Sequence, residues 1–439
     1  MLRKDAEKIY LGAIASCLPD SAVREAMRSF ELPKGRLILV AIGKAAWTMA
    51  HCAAEVVSDM GGRIDAGAVI TKYGHSEGEL DGIDIYEAAH PVPDEAGILA
   101  TERVLEMTAS LRACDTVLFL VSGGGSALFE SPYCTTEELA RLTSDLLRSG
   151  ADIGEVNAVR KHISKVKGGR FAEHVYPAKV FGIVLSDVVG NRLDTIASGP
   201  TTADVTTSDE AAEIISRYNI SISDSVRLAL MNETPKRIVN AVHFIGGSVA
   251  ELCTSAKKIC EELGYKAEII TDTESGIAHE VGARLARLAV EKCDTDIPIA
   301  LITGGETVVK LKGNGLGGRN QEAALAAAGI IAGHSNIVFF SVGSDGTDGP
   351  TDAAGGFVCG KSYSDMLRAG VQPLSALENN DSYNALAAIG GLIMTGPTGT
   401  NVNDLTVALV RVKSHESDVT ERRFSNLERI FNECRSKRT

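Results

Sequence analysis

Residues 120–128 read LVSGGGSAL. The apolar run Thr116 to Val121 stops at Ser122, and three glycines and Ser126 follow before Ala127 and Leu128 resume. This pattern predicts a strand, a tight loop and the start of a new element. Gly123, Gly124 and Gly125 give up side-chain packing and cost backbone entropy. In exchange the backbone can approach a ligand and offer N–H groups, a common way to hold phosphate. A single loop of this kind also serves as an ordinary strand-to-helix turn. Here the pattern recurs at Ile42-Gly43-Lys44, Leu185-Ser186-Asp187, Ile302 to Glu306 and Val342 to Gly346. Ligands of open α/β sheets sit beyond the carboxyl ends of the strands. Repeated polar strand ends therefore predict one or two large anionic ligands.

Length and composition fit that reading. A chain of 439 residues predicts roughly two to three domains. Hydrophobic residues make up 44% of it and there are 44 glycines against 12 prolines, which suits an α/β enzyme. The formal net charge of −13 argues against nonspecific nucleic-acid binding, but an acidic protein can still carry a locally basic site. Nine cysteines occur at irregular spacings without a CxxC. This predicts neither a disulfide framework nor a structural zinc site, and a reducing compartment. The start, MLRKDAEKIY, shows no signal pattern. No apolar run approaches the ~20 residues needed to span a bilayer. A soluble cytoplasmic protein with no membrane partner is expected.

Strand candidates alternate with helical stretches, which predicts crossovers and two α/β domains with mostly parallel sheets. Strands are expected near residues 36–42, 65–71, 83–88, 116–121 and 178–185, then 241–245, 267–271, 297–303, 337–342 and 405–412. Thr307 to Leu311 could form a hairpin arm. Thr135 with Glu138 forms a capping-box pattern, and a longer helix is expected from Val156 to about Ala172. Asn232 to Arg237 is the best linker, giving an N-terminal domain over 1–235 and a C-terminal domain over 236–439. Phe424, Leu427, Ile430 and Phe431 predict a terminal amphipathic helix.

Several residues could carry chemistry. Lys44 opens a helix whose dipole already favours anions. Arg160, Lys161, Ser164 and Lys167 recur at helical spacing, giving either a solvated basic face or a wall that attracts carboxylate or phosphate. Asp187, Glu306, Asp345, Asp348 and Asp352 follow strand ends, where Mg²⁺–nucleotide sites place carboxylates. Each could also be a plain turn residue. Arg319 follows two glycines at a helix start and offers a fixed fork for a carboxylate or phosphoryl group. The stretch around Asn401, TGPTGTNVND, is a polar loop suited to hydroxyl groups or simply a turn cluster. No G-x-x-x-x-G-K-[ST] is present, and AIGKAAWTM stands where a G-x-G-x-x-G would follow the first strand.

The stretches GKAAWTM, HPVPD, VSGGGSALFESP, NAVRKHISKVKGGR, LSDVVGN, ASGPT, TGGET, GGRNQE, SDGTDGPTDAAGG, NDSY and TGPTGTNVND occur in this order over about residues 40–405. Together they resemble the glycerate 2-kinase family, whose members carry a MOFRL module toward the C-terminus. The resemblance implies ATP-dependent phosphorylation of the 2-hydroxyl of D-glycerate, giving 2-phosphoglycerate and ADP with Mg²⁺ or another divalent cation. It also implies two α/β domains with the active site between them; because water must be kept from the γ-phosphate, closure of that cleft on substrates is expected, and a homodimer is a candidate assembly. By matching positions it implies that Lys44 and Arg319 are the principal catalytic cations. Asp187, Glu306, Asp345 and Asn401 would surround phosphate, metal and substrate, with Asp187 and Asp345 as metal or hydroxyl-orienting carboxylates. Ser122, Gly123, Gly124, Gly125, Ser126, Arg160 and Lys167 are candidates for binding substrate or nucleotide. Such proteins have often been labelled NAD(P)H-dependent hydroxypyruvate reductases, an alternative the missing dinucleotide fingerprint disfavours.

Overall fold

The computed structural model describes residues 2–186 and 192–413. Asp187 and the expected terminal helix beyond residue 413 lie outside the described residues. The chain forms two compact units. One comprises Ser16–Ser248 with Gly399–Val402; the other takes the described residues before Ser16, Val249–Thr398 and the described residues from Asn403.

The first unit is built on six strands: β1 (Leu37–Ile42), β2 (Ala66–Lys72), β3 (Ile83–Ala88), β4 (Thr116–Val121), β5 (Lys179–Leu185) and β6 (Ala241–Gly246). They pair in the order β3-β2-β1-β4-β5-β6, and every pairing is parallel. β1 is buried at all six positions. Its alternate residues feed two cores, as the period of two along a strand requires. Ile38, Val40 and Ile42 pack on one side of the sheet, and Leu37, Leu39 and Ala41 on the other. The order reverses between β1 and β4. Such a switch point opens a crevice past the strand ends, where doubly wound sheets bind their ligands. Reading a second half from residue 236 separates Ala241–Gly246 from the first sheet. The structure instead pairs this strand with β5.

The second unit contains β7 (Lys266–Glu274), β8 (Ile299–Gly305), β9 (Ile337–Gly343), β10 (Gly355–Cys359), β11 (Leu392–Ile393) and β12 (Asp404–Val410). Their order is β11-β10-β9-β12-β8-β7. Only β7 and β8 run parallel; the other pairings are antiparallel. Two α/β units with helix-covered sheets were expected and are present, but the parallel expectation fails for this sheet. The helix Arg319–Ile330 carries the chain from β8 to β9 and leaves a gap one strand wide. β12 enters it antiparallel to both neighbours. Residues 307–311 form no strand, only an isolated bridge from Val308 to Ile277. Helices Ala278–Glu291 and Arg319–Ile330 bury Leu285, Ala286, Leu325 and Ala328 with Phe339 and Ala408. Tyr10 of the N-terminal helix Leu2–Ser16 packs edge-on against Phe340.

The capping box is present in the first unit: Glu138 N donates to Thr135 Oγ1 at 3.2 Å and Thr135 N donates to Glu138 Oε2 at 3.0 Å. Thr135→Ala is expected to cost about 1 kcal/mol in urea unfolding with kcat unchanged; an equal Cm for the two proteins would contradict this.

Candidate active site

The loops after β1 and β4 in the first unit are stitched together. Lys44 N donates to Gly123 O at 2.9 Å, and Ala45 N donates to Ser122 Oγ at 3.0 Å. This crossing requires a glycine at 43. Its φ is +112°, and a Cβ there would lie 2.3 Å from Ser122 Oγ and 2.4 Å from Ser122 O. The main chain is thereby fixed while the Lys44 side chain stays exposed, with no ion-pair partner among the described residues. The His90 ring closes the loop from the side: a Cβ on Gly124 would meet His90 Cδ2 at 2.9 Å and Lys44 Cγ at 3.6 Å. Burial, then the charges of Lys44, Lys72 and His75, lowers the His90 pKa and favours a neutral imidazole. The Gly123 and Gly124 amides donate to no group among the described residues. Lys44, His90 and two free N–H groups could therefore hold an anion.

The expected long basic helix is broken. Helix Ile153–His162 ends, and Arg170–Val175 starts a second one. Gly168 and Gly169 have φ of +59° and +86° between them, so the basic residues do not share one face. Arg160 is mostly buried and donates from NH2 to Ser126 O at 3.1 Å, bracing the end of the glycine loop. Lys161 and Lys167 are buried. Lys161 Nζ lies 3.1 Å from Asp204 Oδ1. Lys167 Nζ lies 2.8 Å from Phe129 O and 3.1 Å from Glu130 Oε2. Burial pulls the Lys167 ammonium down to about 8 although the Glu130 carboxylate opposes the shift. Its charge is spent inside the protein, which corrects the expectation that it faces a ligand.

In the second unit the chain approaching Arg319 is held down on residues 379–383. Gly315 N donates to Asn379 O at 2.8 Å, and Tyr383 N donates to Leu316 O at 2.9 Å. A Cβ on Gly317 would fall 2.1 Å from Ser382 Oγ. Arg319 emerges at the first turn of its helix and meets two carboxylates. Asp404 accepts from Nε at 2.6 Å and from NH2 at 3.1 Å, and Glu306 accepts from NH1 at 2.9 Å. Burial works against the Arg319 charge, but the Asp404 hydrogen bonds and the surrounding carboxylates outweigh it and hold the guanidinium protonated. Asp348 caps the same helix, accepting from Asn320 N at 3.1 Å and Gln321 N at 2.8 Å. Burial pushes its carboxyl up to about 7 against those amides.

The other expected residues are spread more widely. Asp345 is half-buried after β9, and its Oδ1 accepts from Thr347 N at 3.0 Å. It has no hydrogen bond to Arg319 among the described residues. Asp352 accepts from Tyr383 OH at 2.8 Å. Asn401 falls late in the sequence, yet its segment Gly399–Val402 clusters with the first unit. There Thr400 Oγ1 donates to Cys17 O at 2.8 Å. Ser126 Oγ lies 3.1 Å from Ser198 Oγ. Ala197 and Ser198 are both left-handed, with φ of 50° and 60°, and both are buried. Strain of this kind concentrates at functional sites. His90 and Asp404 escaped the residue-by-residue reading. The available signals were a histidine in HPVPD and an aspartate opening an otherwise apolar strand.

Residues 5–231 match a family described as a domain of unknown function (DUF4147), and residues 299–404 match the MOFRL family. The chain is 52% identical over 415 residues to the D-glycerate 2-kinase of Thermotoga maritima, covering 93% of this chain and 98% of that protein. The chain belongs to the glycerate 2-kinase family. The glycerate 2-kinase of Pyrococcus horikoshii is 42% identical over 406 residues, covering 88% of this chain and 90% of the relative. A crystal structure of glycerate kinase from Thermotoga maritima matches with a TM-score of 0.89 over 93% of this chain and 99% of that chain, at 52% identity. Family membership agrees with the motif resemblance.

Two outcomes are expected for the buried charges. Lys167→Ala strands Glu130 in the interior and should destabilise the protein by about 3–5 kcal/mol, read by chemical denaturation. A stable variant with only a raised KM would show that Lys167 touches ligand. Asp348 binds a proton more tightly folded than unfolded, so its contribution is complete below the unfolded carboxyl pKa and lost as pH rises through about 7. The Tm of the wild type should therefore fall relative to that of Asp348→Asn between about pH 4 and 7. A constant Tm difference across that range would refute the assignment.

Proposed function

We propose that this protein transfers the γ-phosphoryl group of ATP to the 2-hydroxyl of D-glycerate. The observation that carries the reading is 52% identity over 93% of the chain to a protein named D-glycerate 2-kinase. The side chains suit this chemistry. Phosphoryl transfer needs positioning and charge neutralisation more than covalent help. The Lys44 cradle supplies one cation with free amides, and Arg319 supplies a second cation of fixed orientation. Glu306 and Asn401 are polar partners for the reactants. Ser122 and Arg160 shape the glycine loop.

Among the described residues, no group of three His, Cys, Asp or Glu could hold a metal ion. Mg²⁺ needs less, since it usually binds one or two carboxylates with substrate phosphates and water. Asp345 fits as one such ligand, and Asp187 is a second candidate outside the described residues. The ion would neutralise phosphate charge.

The reductase alternative requires a nicotinamide cofactor. The strand order is one that dinucleotide-binding proteins also use, but the first turn carries Lys44 in place of the glycine fingerprint. No helix among the described residues is long and apolar enough to cross a membrane. The eight cysteines among the described residues form no disulfide with one another, which suits a cytoplasmic setting.

Incubation with ATP, Mg²⁺ and D-glycerate should yield ADP and 2-phosphoglycerate, identified by ³¹P NMR. NADH oxidation with hydroxypyruvate and no glycerate-dependent ADP would overturn the kinase reading. Lys44→Ala and Arg319→Ala should each lower kcat by about 10²-fold or more, Lys44→Ala with unchanged melting and Arg319→Ala with a lowered Tm, because it strands the buried Asp404 carboxylate. A near-normal kcat would remove that residue from the mechanism.

A further inference from the structure

The Arg319 guanidinium carries a direction as well as a charge. Asp404 grips it side-on through Nε and NH2, at 2.6 and 3.1 Å. The edge that Asp404 does not take is the one formed by NH1 and the outer N–H of NH2. NH1 meets Glu306, whose side chain is 50% exposed. The gripping carboxylate is deeply buried, with its side chain 6% exposed.

Asp404 is itself held from several sides. Asn320 Nδ2 donates to Asp404 Oδ1 at 3.0 Å, while Ser341 Oγ donates to Asn320 Oδ1 at 2.6 Å. Asp404 opens the central strand β12, and its partners in register are Gly305 on β8 and Gly343 on β9. Neither neighbour has a side chain, so the carboxylate has room at the strand end. A buried carboxylate costs desolvation energy unless its partners are well placed. Here the partner is the arginine to which the reaction assigns charge stabilisation.

We propose that Asp404 is a positioning residue for phosphoryl transfer, setting the Arg319 guanidinium so that its NH1–NH2 edge meets the anionic reactant. The inference rests on the kinase reading. A fixed fork loses less freedom per hydrogen bond than a mobile one, and a misplacement of about 1 Å at such a group can cost on the order of 10²-fold in rate.

The test is steady-state kinetics on the full chain with ATP, Mg²⁺ and D-glycerate, alongside thermal melts. Asp404→Asn keeps one acceptor oxygen. It should lower kcat by about ten- to a hundredfold while changing either KM by less than about threefold. Asp404→Glu keeps the charge but shifts it by a methylene, should lose kcat in the same way, and decides the matter if the Asn variant does not fold. In an Arg319→Ala background, Asp404→Asn should cause no further loss, because its effect passes through the arginine. Guanidinium ion should partly restore Arg319→Ala and fail to restore the double variant. Normal kcat in a folded Asp404 variant, or an undiminished loss in the Arg319→Ala background, overturns the positioning role while leaving the kinase reading intact. A wild type that releases no glycerate-dependent ADP overturns both.

Discussion

Both candidate cations depend on backbone crossings too close for a side chain. Gly43 passes Ser122 where a Cβ would lie 2.3 Å from the serine hydroxyl, and Lys44 is the next residue. Gly317 passes Ser382 with a Cβ clearance of 2.1 Å, and Arg319 follows two residues later. Each crossing fixes the main chain, so the cation that follows starts from a defined point. Lys44 gains precision this way without burial of its charged end.

The two cations are solvated and partnered differently. Lys44 stands exposed beside a histidine whose charged form burial disfavours and two unspent amides, which leaves a net attraction for anions. Arg319 is surrounded by Asp404, Glu306 and, farther off, Asp348, so its charge is largely compensated before any ligand arrives. The first arrangement favours capture, the second orientation. Preorganised charge of the second kind stabilises a transition state without reorganising during reaction. It also explains how a protein with a formal charge of −13 can present cationic sites.

The parallel sheet was largely legible because its central strands β1 and β4 are continuous apolar runs that end in glycine or polar residues. Lys44, Ser122–Ser126 and Arg319 stood out for the same reason. Three features were not visible in that signal. Strand direction in the second sheet depends on which gap β12 fills, and an apolar run carries no signal of its direction. Lys161 and Lys167 resemble surface lysines until their partners Asp204 and Glu130, distant in sequence, are brought to them. Asp404 sits at a strand edge where an aspartate ordinarily marks a turn. Its role depends on Arg319, 85 residues earlier.

The second unit gathers the described residues before Ser16 and those from Asn403 onward. Asp5 Oδ2 accepts from Tyr265 OH and from Arg411 NH2, each at 2.7 Å. The middle of its sheet is therefore vacant on a nascent chain until β12 leaves the ribosome. The first unit draws nearly all its residues from one continuous stretch and can condense during synthesis, as N-terminal domains generally do. The unit holding Arg319 must instead wait, its helix Leu2–Ser16 without a completed sheet to cover, and then assemble around β12, the last strand among the described residues. Truncation a few residues before Val410 would thus remove the centre of this sheet, whereas the same loss from an edge strand would trim only its margin.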